Sequence, residues 1–392
     1  MPNNWQPFTR VSMLAAAGPP AAIAGMAGAK RSWTSITSSR VFPMVHWKWG
    51  IGEVCAWESG VHGLAVYGFD IEPASGRPPC PSMMHTFGTP LGPPYDDPQV
   101  DGLIHTALHE DLAYVGDLTC QCLVDHHAIL RGRMLAKAEG VLCGVPLFAR
   151  VLRHLEGTVE VNELCADGDE VEAGTEILRF QGAAAAILMA ERTALNLIQS
   201  LSAVATRSRQ LSQMIRHTRC RVYDTRKTIP GLRRLQKYAV TCGGGANHRI
   251  GLYDAVLIKE NHIALMGADV RVGAAEAVAR CRTRLGADAL IQVEIADLDQ
   301  LPGVIAAGAD MVLCDNMSPE LLRRAVIIRD ELGCAPHAPQ AGRRTVALEA
   351  SGGITEESLV AVAESGVERV SIGALTHSLR ALDISLLCEP SR

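Results

Sequence analysis

From Arg221 onward the sequence alternates between short apolar segments and amphipathic segments, and this alternation limits the possible folds more than any other feature. We predict strands at Arg221–Asp224, Ala255–Lys259, Leu290–Glu294, Met311–Asp315, Val346–Ser351 and Arg369–Gly373. The helices predicted between them include Gly273–Arg284, Asp297–Ala307, Pro319–Leu332 and Glu356–Ser365. Strands rich in β-branched residues that alternate with helices are typical of a parallel α/β barrel.

Polar, charged or glycine residues stand at the carboxyl ends of these predicted strands. They are Arg226 just after the first strand, then Lys259, Glu294, Asp315 and Ser351 at the ends of theirs, and Gly373 at the end of the last. Ligands of α/β barrels bind at this edge, where the loops that follow the strands meet. The sequence therefore predicts one binding site at the carboxyl edge of the barrel.

The stretch Asp224–Lys259 concentrates the basic residues of the predicted site. They are Arg226, Lys227, Arg233, Arg234, Lys237, His248, Arg249 and Lys259. Pro230 suits the first turn of a helix in this stretch, and Gly243–Gly245 would end that helix and allow a ligand to approach the backbone closely. Because the whole chain has a formal net charge of -5, a local excess of cations indicates an anion pocket.

Upstream of the barrel we predict a compact α/β region. Val100–Leu112 is predicted to be a helix, and Gly116–Thr119 to open a strand-rich region. The alternating segments are His126–Ala138, Gly140–Val145 and Gly157–Leu164, followed by a turn-rich hairpin at Asp167–Leu178. Ala183–Met214 is predicted to be a long helix whose broad apolar face joins two domains.

The first segment, Met1 to about Pro98, differs in composition from the rest of the chain. It contains no acidic residue before Glu53, it is rich in glycine and proline, and it holds all 5 tryptophans. We expect it to be mostly unstructured and assign it no function. An acid-poor, serine- and arginine-bearing start is typical of a transit peptide, although the tryptophans fit that poorly. A start codon placed too far upstream, with the real start near Met83 or Met84, is the alternative.

Length and composition exclude several classes of protein. A chain of 392 residues predicts two domains, and a pI near 6.2 argues against a nucleic-acid partner. The 12 cysteines include no CxxC pair, so we expect reduced thiols rather than a zinc site at Cys120 and Cys122. No apolar run is long enough to cross a bilayer. We expect a cytoplasmic protein, or a plastid or mitochondrial one if the first segment is a transit peptide.

Several motifs in register resemble those of the quinolinate phosphoribosyltransferase family, also called nicotinate-nucleotide pyrophosphorylase. Within the basic stretch they are DTRKT-PGLR, KYAV, GGG-NHR-GL and LIKENH. Elsewhere they are ERTALN (Glu191–Asn196), VEIADLDQL (Val293–Leu301), DN (Asp315–Asn316), SGGI (Ser351–Ile354) and GALTHS (Gly373–Ser378). The resemblance covers roughly Asp101 to Leu387, and several long motifs in one order are far more specific than a single glycine triplet.

The resemblance implies the type II phosphoribosyltransferase architecture. We expect an N-terminal α/β sandwich domain at 99–215 and a TIM-like open α/β barrel at 216–380. The extension 1–98 would precede them, and a tail at 381–392 would pack back on the N-terminal domain. The implied reaction is the Mg²⁺-dependent transfer of phosphoribosyl from phosphoribosyl pyrophosphate (PRPP) to quinolinate. Its products would be nicotinate mononucleotide, pyrophosphate and CO₂, in NAD biosynthesis.

The resemblance also implies roles for individual residues. Substrate binding falls to Arg192, Thr225, Arg226, Lys227, His248, Arg249, Lys259, Glu294, Asp315, Ser351, Gly352, Gly353, Gly373 and Ala374. Of these, the catalytic set is Lys227, Lys259, Glu294 and Asp315. Glu294 and Asp315 would hold Mg²⁺, which prefers oxygen ligands. Arg192 would reach the site of a neighbouring subunit, which implies a homodimer, with a hexamer as the alternative.

Other residues of these motifs receive weaker assignments. Gln292 departs from the family, which commonly has glutamate there, and we leave it out of the metal set. Lys237 is predicted to support the site from behind, whereas Arg233 and Arg234 are supporting or solvent-facing. His262 is predicted to be structural, and Thr376 and His377 either structural or substrate-binding. Arg343 and Arg344 are predicted to lie at the opposite end of the barrel.

Three rival functions remain open at this point. A barrel aldolase or decarboxylase would use Lys259 as a Schiff-base amine, although the surrounding arginines argue against it. A phosphosugar-binding protein would bind PRPP without turnover, although Glu294 and Asp315 argue against that. A relative with a different acceptor would reject quinolinate and accept another aromatic acid.

Overall fold

The computed structural model describes residues 47–48, 53–54, 90–155, 159–267 and 269–390. The chain divides into two units, Met1–Ser75 and Gly76–Arg392. In the first unit, strand β1 (Trp47–Lys48) pairs with β2 (Glu53–Val54) in antiparallel fashion. The expectation that residues 1–98 are mostly unstructured therefore lies largely outside the described residues. The second unit contains the remaining described helices and strands.

The N-terminal part of this unit contains helices and an antiparallel sheet. Its elements are α1 (Pro98–Leu112), α2 (Leu118–Leu123), β3 (Ile129–Ala136), β4 (Gly140–Val141), α3 (Val145–Leu155), β5 (Glu160–Glu163), β6 (Glu170–Val171), β7 (Glu176–Ala183) and α4 (Ala184–Met214). Helix α4 has the same extent, within one residue, as the predicted helix at Ala183–Met214. It packs against α3 and β4. It also packs against three helices of the second part, α5 (Arg233–Cys242), α10 (Glu356–Ala363) and α11 (Ala374–His377).

The second part alternates strands and helices as predicted. Its elements are β8 (Arg221–Tyr223), α5 (Arg233–Cys242), β9 (Val256–Ile258), α6 (Glu260–Leu265), α7 (Val270–Leu285), β10 (Ile291–Ile295), α8 (Leu301–Ala306), β11 (Met311–Asp315), α9 (Pro319–Glu331), β12 (Ala347–Ser351), α10 (Glu356–Ala363), β13 (Arg369–Ser371), α11 (Ala374–His377) and β14 (Ile384–Pro390). A short 3₁₀ turn at Leu298–Gln300 precedes α8, so the single helix predicted at Asp297–Ala307 is divided in two.

Six parallel strands form one sheet in the order β8-β13-β12-β11-β10-β9. Strands β8 and β9 are its two outer members, so this sheet is the open α/β barrel that the sequence predicts. Its strands are apolar and buried, as in β11, where the first four residues are all buried. Parallel sheets require such strands because helices cover the outer face and packed side chains fill the inside.

A separate four-stranded antiparallel sheet has the order β14-β3-β7-β5. Strand β14 pairs with β3 from Leu130 to Ala136, with Ile384 opposite Ala136 and Pro390 opposite Leu130. The C-terminal segment is thus part of the N-terminal sheet. A second small sheet joins β4 and β6.

Three local predictions in the N-terminal part are wrong. Gly116–Thr119 does not open a strand, because the Asp117 carboxylate accepts from the backbone N–H groups of Thr119 (2.8 Å) and Cys120 (3.1 Å) and starts helix α2. The strand at Gly140–Val145 is confined to β4, and helix α3, which the pattern did not reveal, begins at Val145. Asp167–Leu178 is not a hairpin, since β6 pairs with β4 whereas β7 pairs with β3 and β5.

The helix expected after Pro230 begins three residues later than a proline in its first turn would require. Pro230 and Gly231 form a turn, with Gly231 at a φ of +82°, and α5 starts at Arg233. Its end agrees with the prediction, because α5 stops at Cys242 and Gly243 caps it.

Candidate active site

The parallel sheet brings the carboxyl ends of six strands to one edge. Residues 225–227 follow β8, Lys259 follows β9, Glu294 is the last but one residue of β10, and Gly373 lies two residues beyond β13. Asp315 and Ser351 end β11 and β12 and stand directly opposite each other. The prediction that these residues share one edge of the barrel is confirmed by the strand order.

A cleft of about 220 Å³ opens between the loops after β8, β12 and β13. Its lining residues are Thr225, Lys227, Ser351, Gly352, Gly353, Ile354, Ser371, Ile372, Gly373, Ala374 and His377. Seven of the predicted substrate-binding residues are therefore brought together in a single cavity. Lys227 is the one lysine or arginine among these lining residues.

The glycines of the cleft have conformations that other residues rarely adopt. Gly352 and Gly353 have φ angles of +91° and +59°. A Cβ atom on Gly352 would also lie 2.3 Å from the Oδ1 atom of Asn316, which is closer than atoms in contact can approach. Glycine at these positions thus permits the positive φ angles of the loop and, at Gly352, makes room for the Asn316 side chain.

Arg226 and Arg249 form a positively charged pair next to this edge. Arg249 is 8% exposed, and its Nη1 donates to the carbonyl oxygen of Ala255 at 3.0 Å. Burial and the charge of Arg226 lower the pKa of Arg249. Within the described part of the chain neither guanidinium forms an ion pair, and the Nε atoms of both are buried without a hydrogen-bond partner. The charge of Asp254 opposes part of this pKa shift at Arg249, but among the described residues no carboxylate lies within ion-pair distance of either guanidinium.

Behind this pair lies a buried network around Asp224, which sequence reasoning did not single out. Its Oδ1 accepts from Lys237 Nζ at 2.5 Å and from the backbone N–H of His248 at 2.8 Å, and its Oδ2 accepts from Asn247 Nδ2 at 2.6 Å. Lys237 also donates to the carbonyl oxygen of His248 at 2.8 Å. Lys237 thus lies behind the site, where it fixes the loop that carries His248 and Arg249.

His248 is buried and points into the barrel. Burial lowers its pKa to about 4, so the imidazole is neutral at pH 7. Its Nδ1 accepts from the backbone N–H of Arg249 at 2.8 Å, which places the ring proton on Nε2, 3.6 Å from Glu349 Oε1. Glu349 in turn accepts from Arg369 Nε at 2.9 Å and from Gln292 Nε2 at 3.0 Å. Gln292 therefore belongs to the barrel interior.

Glu349 and Arg369 were also missed by sequence reasoning. Both alternate with apolar residues on short strands, and a charged residue at an inward position of a barrel strand was the available signal. Arg369 stacks on the ring of Tyr223 at 3.5 Å from its centroid. Glu349 and Arg369 together extend the polar part of the barrel interior that begins at His248.

Lys259 and Glu294 form an ion pair across the ends of β9 and β10, with Nζ 2.6 Å from Oε2. The Glu294 side chain is 16% exposed and that of Lys259 is 48% exposed. Asp315 Oδ2 accepts from Asn316 Nδ2 at 2.9 Å. Glu294 and Asp315 end neighbouring strands and offer carboxylate oxygens, which is the donor chemistry that fits a magnesium ion.

The remaining predicted residues have structural contacts or lie elsewhere. Arg233 bridges two loops by donating to Thr228 Oγ1 (3.0 Å) and the Ile250 carbonyl oxygen (3.3 Å). Thr376 Oγ1 donates to the carbonyl oxygen of Lys227 at 2.7 Å. His262 Nδ1 accepts from the backbone N–H of Lys259 at 2.9 Å, a structural contact at the start of α6. Arg344 pairs with Asp310 at the opposite end of the barrel.

Arg192 is not brought to this site within the chain. It lies exposed on α4 and, among the described residues, forms no ion pair. Its predicted contact with a neighbouring subunit's site stays a prediction.

The described residues also contain a cluster of potential metal ligands away from the barrel edge. Cys143, Asp167 and Cys242 have ligand atoms within 4.8 Å of one another. However, the Asp167 carboxylate already accepts from the Tyr95 hydroxyl and from the N–H groups of Gly144 (2.8 Å) and Val145 (2.9 Å). In the part of the chain that the structure describes, none of the helices has the length and apolar character that a membrane span needs.

Comparison with known proteins adds to this geometry. Two family models match, described as the N-terminal and C-terminal domains of quinolinate phosphoribosyl transferase, over residues 117–202 and 204–387. The probable nicotinate-nucleotide pyrophosphorylase (carboxylating) of Bacillus subtilis is 39% identical over 288 residues, 74% of this chain and 93% of the relative. That of Mycobacterium leprae is 40% identical over 285 residues, 72% of this chain and 95% of the relative.

A plant relative and a solved structure extend the comparison. The chloroplastic nicotinate-nucleotide pyrophosphorylase (carboxylating) of Arabidopsis thaliana is 34% identical over 303 residues, 76% of this chain and 84% of the relative. The structure of the nicotinate-nucleotide pyrophosphorylase from Francisella tularensis superposes with a TM-score of 0.68 at 39% identity. It covers 78% of this chain and 100% of that one.

Proposed function

This chain belongs to the quinolinate phosphoribosyltransferase family, an enzyme family of NAD biosynthesis, and from that premise we propose its full reaction. The enzyme transfers phosphoribosyl from PRPP to quinolinate with Mg²⁺ as cofactor. The products are nicotinate mononucleotide, pyrophosphate and CO₂. The observation that carries the proposal is the pair Arg226 and Arg249, a half-buried and a buried cation that form no ion pair within the described part of the chain.

Quinolinate fits these two cations because it has two adjacent carboxylates on a flat ring. A guanidinium matches a carboxylate with two parallel hydrogen bonds, which a lysine ammonium does not. Binding the dianion between Arg226 and Arg249 would also relieve the repulsion that lowers the pKa of Arg249. The neutral His248 contributes a hydrogen bond rather than a charge.

PRPP fits the cleft that Lys227 and the glycine loops line. Its 5′-phosphate would approach the backbone at Gly352 and Gly353 and at Gly373 and Ala374, all of which line the cleft. Lys227 places a mobile positive charge in the same cleft. Phosphate sites after the last two strands are common in barrels of this kind.

The carboxylates Glu294 and Asp315 act at the reacting carbon. As pyrophosphate leaves, C1′ of the ribose becomes positively charged, and the pyridine nitrogen of quinolinate forms a bond to it. Carboxylates held beside this carbon stabilise the developing charge, and preorganised groups of this type contribute about 3 kcal/mol. Glu294 and Asp315 would also hold Mg²⁺, which when bound neutralises charge on the pyrophosphate. Lys259 holds Glu294 in place at 2.6 Å.

Decarboxylation follows from the new bond. The ring nitrogen is positively charged once it is bonded to C1′, so the ring accepts the electron pair released when the adjacent carboxylate leaves as CO₂. A proton then replaces the carboxylate on the ring. Since binding and orientation achieve this, no side chain forms a covalent intermediate.

The Schiff-base alternative at Lys259 is disfavoured by its contacts. A Schiff base requires a free amine, whereas Lys259 Nζ is held by the carboxylate of Glu294 at 2.6 Å.

Assembly and location belong to the same proposal. We infer a homodimer in which Arg192 of one subunit serves the site of the other. The cytoplasmic location stays a prediction, with the plastid as the alternative, since a plant relative is named chloroplastic.

A turnover assay on the full chain tests the reaction. Quinolinate, PRPP and Mg²⁺ are each omitted in turn, and nicotinate mononucleotide and pyrophosphate are both quantified. The proposal requires equal amounts of the two products and no product in any omission. PRPP binding without pyrophosphate release would support the phosphosugar-binding alternative. Turnover with another aromatic acid but not with quinolinate would support the relative with a different acceptor.

A further inference from the structure

The segment directly before α1, residues 90–97, contacts the loop after α5, which carries Arg249. It lies outside both matched family ranges. The backbone N–H of Leu91 donates to the Oδ1 atom of Asn247 at 3.0 Å, across 156 residues of sequence. In return, Thr241 Oγ1 donates to the carbonyl oxygen of Leu91 at 3.1 Å, and it shares its proton with the carbonyl oxygen of Tyr238 at 2.7 Å. We call residues 90–97 the leading strap.

The leading strap follows one face of helix α5. Asp97 pairs with Arg234 at 3.0 Å, and the ring of Tyr95 packs edge-on against Tyr238 with centroids 5.7 Å apart. With Thr241 near Leu91, the contacted helix positions are spaced by four and then three residues, so they lie on the same side of α5. The strap therefore runs antiparallel to the helix over its whole length.

Asn247 connects the leading strap to the anion site. It is 4% exposed, and its Nδ2 donates to Asp224 Oδ2 at 2.6 Å and to the carbonyl oxygen of Lys237 at 2.8 Å. The other end of the amide, the Oδ1 atom, accepts from the Leu91 N–H. If the amide turned over, Nδ2 would face the Leu91 donor and Oδ1 would face the Asp224 carboxylate, and both contacts would be repulsive.

We propose that the leading strap positions Arg249 of the substrate-binding arginine pair, with Leu91 and Asn247 as positioning residues. Leu91 fixes the orientation of Asn247, Asn247 and Asp224 fix the backbone at His248, and the next residue is Arg249. This inference rests on the proposed function, because it assigns the strap an effect on quinolinate affinity.

The effect should fall on binding and leave the fold intact. Arg249 is held close to the like charge of Arg226, so any freedom in its backbone would let the two guanidinium groups move apart. Loss of the Leu91 donor would leave the buried Oδ1 atom of Asn247 without a partner, which weakens the fixation of the loop. The Leu91 N–H and the Asn247 Oδ1 atom lie outside the apolar cores of the barrel and of the N-terminal sheet.

The test compares Leu91→Pro with Leu91→Ala in the full chain. Proline removes the N–H that bonds Asn247, whereas alanine shortens the side chain and keeps the N–H. For Leu91→Pro we expect a KM for quinolinate about fivefold higher, the size of one lost hydrogen bond, with kcat within about twofold. Leu91→Ala should keep the wild-type KM. Equal KM values for the two variants would overturn the proposal.

A readout independent of turnover separates this proposal from the proposed function. Hydrogen exchange of the peptide that spans residues 246–250 should be faster in Leu91→Pro than in Leu91→Ala, whatever reaction the enzyme catalyses. Unchanged exchange there would contradict the positioning role. Absence of wild-type turnover would contradict only the proposed function.

A second matched pair covers the case in which Leu91→Pro does not fold. Thr241→Val removes the hydroxyl that donates to Leu91, and Thr241→Ser retains it. We expect Thr241→Val to raise the KM for quinolinate and to speed the exchange of residues 246–250, and Thr241→Ser to restore both. If valine and serine behave alike, the leading strap has no positioning role.

Discussion

Lys237 Nζ lies 2.5 Å from Asp224 Oδ1, and neither side chain has any exposed surface. Removing one partner of such a pair leaves the other charge buried, which typically costs about 3–5 kcal/mol. We therefore expect Lys237→Met to lower the free energy of unfolding by about that amount, as measured by urea denaturation.

The ion pair between Lys259 and Glu294 provides the matched control. The Lys259 side chain is 48% exposed, so water screens this pair, and Lys259→Met should change the free energy of unfolding by at most about 1 kcal/mol. It should nevertheless abolish turnover. Equal destabilisation by the two methionine variants would mean that the Asp224 network does not support the loop as described.

The buried His248 predicts a loss of stability in mild acid. Its folded pKa is about 4 and its unfolded value is near 6.5, so between these values the unfolded chain binds the extra proton. Stability therefore falls as the pH drops from about 6.5 to about 4, by up to about 1.4 kcal/mol per pH unit from this group. His248→Gln should lose less stability than the wild type between pH 7 and pH 5 in urea titrations. Parallel losses in both proteins would show that His248 does not titrate in this way.

Gly373 leaves room for Lys227 in the phosphate cleft. A Cβ atom there would lie 2.8 Å from Lys227 Cδ and 3.2 Å from His377 Nε2, both on flexible side chains, and the φ of −65° suits any residue. Gly373→Ala should thus displace Lys227 and raise the KM for PRPP about tenfold, with an unchanged melting temperature.

Gly303→Ala is the control for that substitution. Gly303 lies in α8, where a Cβ atom would make an ordinary contact with Ala275 at 3.6 Å. Its KM for PRPP should equal that of the wild type. If Gly373→Ala also has the wild-type KM for PRPP, Lys227 does not take part in PRPP binding.

Asp315 is predicted to hold Mg²⁺ together with Glu294. Chelation by EDTA should stop turnover, and Asp315→Asn should raise the Mg²⁺ concentration needed for half-maximal rate about tenfold, because an amide binds the ion more weakly than a carboxylate. Asp288→Asn makes the same charge change on an exposed residue before the amino end of β10. If both variants respond to Mg²⁺ like the wild type, Asp315 is not a ligand.

The barrel was predictable because its signals are local. A strand buried on both faces consists of adjacent apolar residues, as in Met311–Asp315, where the predicted and observed bounds are identical. Each strand is followed by the residues of its own loop. The predicted location of Lys259, Glu294 and Asp315 at one edge therefore needed only the assumption that the strands are parallel.

The contacts behind the site were not predictable in this way. Leu91 and Asn247 are 156 residues apart, and neither carries a local pattern that points to the other. The same holds for His248 and Glu349, which meet only in the folded structure. Helix α2 was missed for a different reason, since one capping carboxylate, that of Asp117, outweighed an apolar segment that resembled a strand.

The proposed function depends most on the binding of the two quinolinate carboxylates by Arg226 and Arg249. Titration calorimetry of quinolinate against the wild type, Arg226→Ala, Arg249→Ala and the exposed control Arg216→Ala tests it directly. Each charge-assisted contact contributes about 1.5–3 kcal/mol, so the first two variants should lose at least about tenfold in affinity while Arg216→Ala keeps the wild-type value. Wild-type affinity in Arg226→Ala and Arg249→Ala, with the fold intact, would contradict the site.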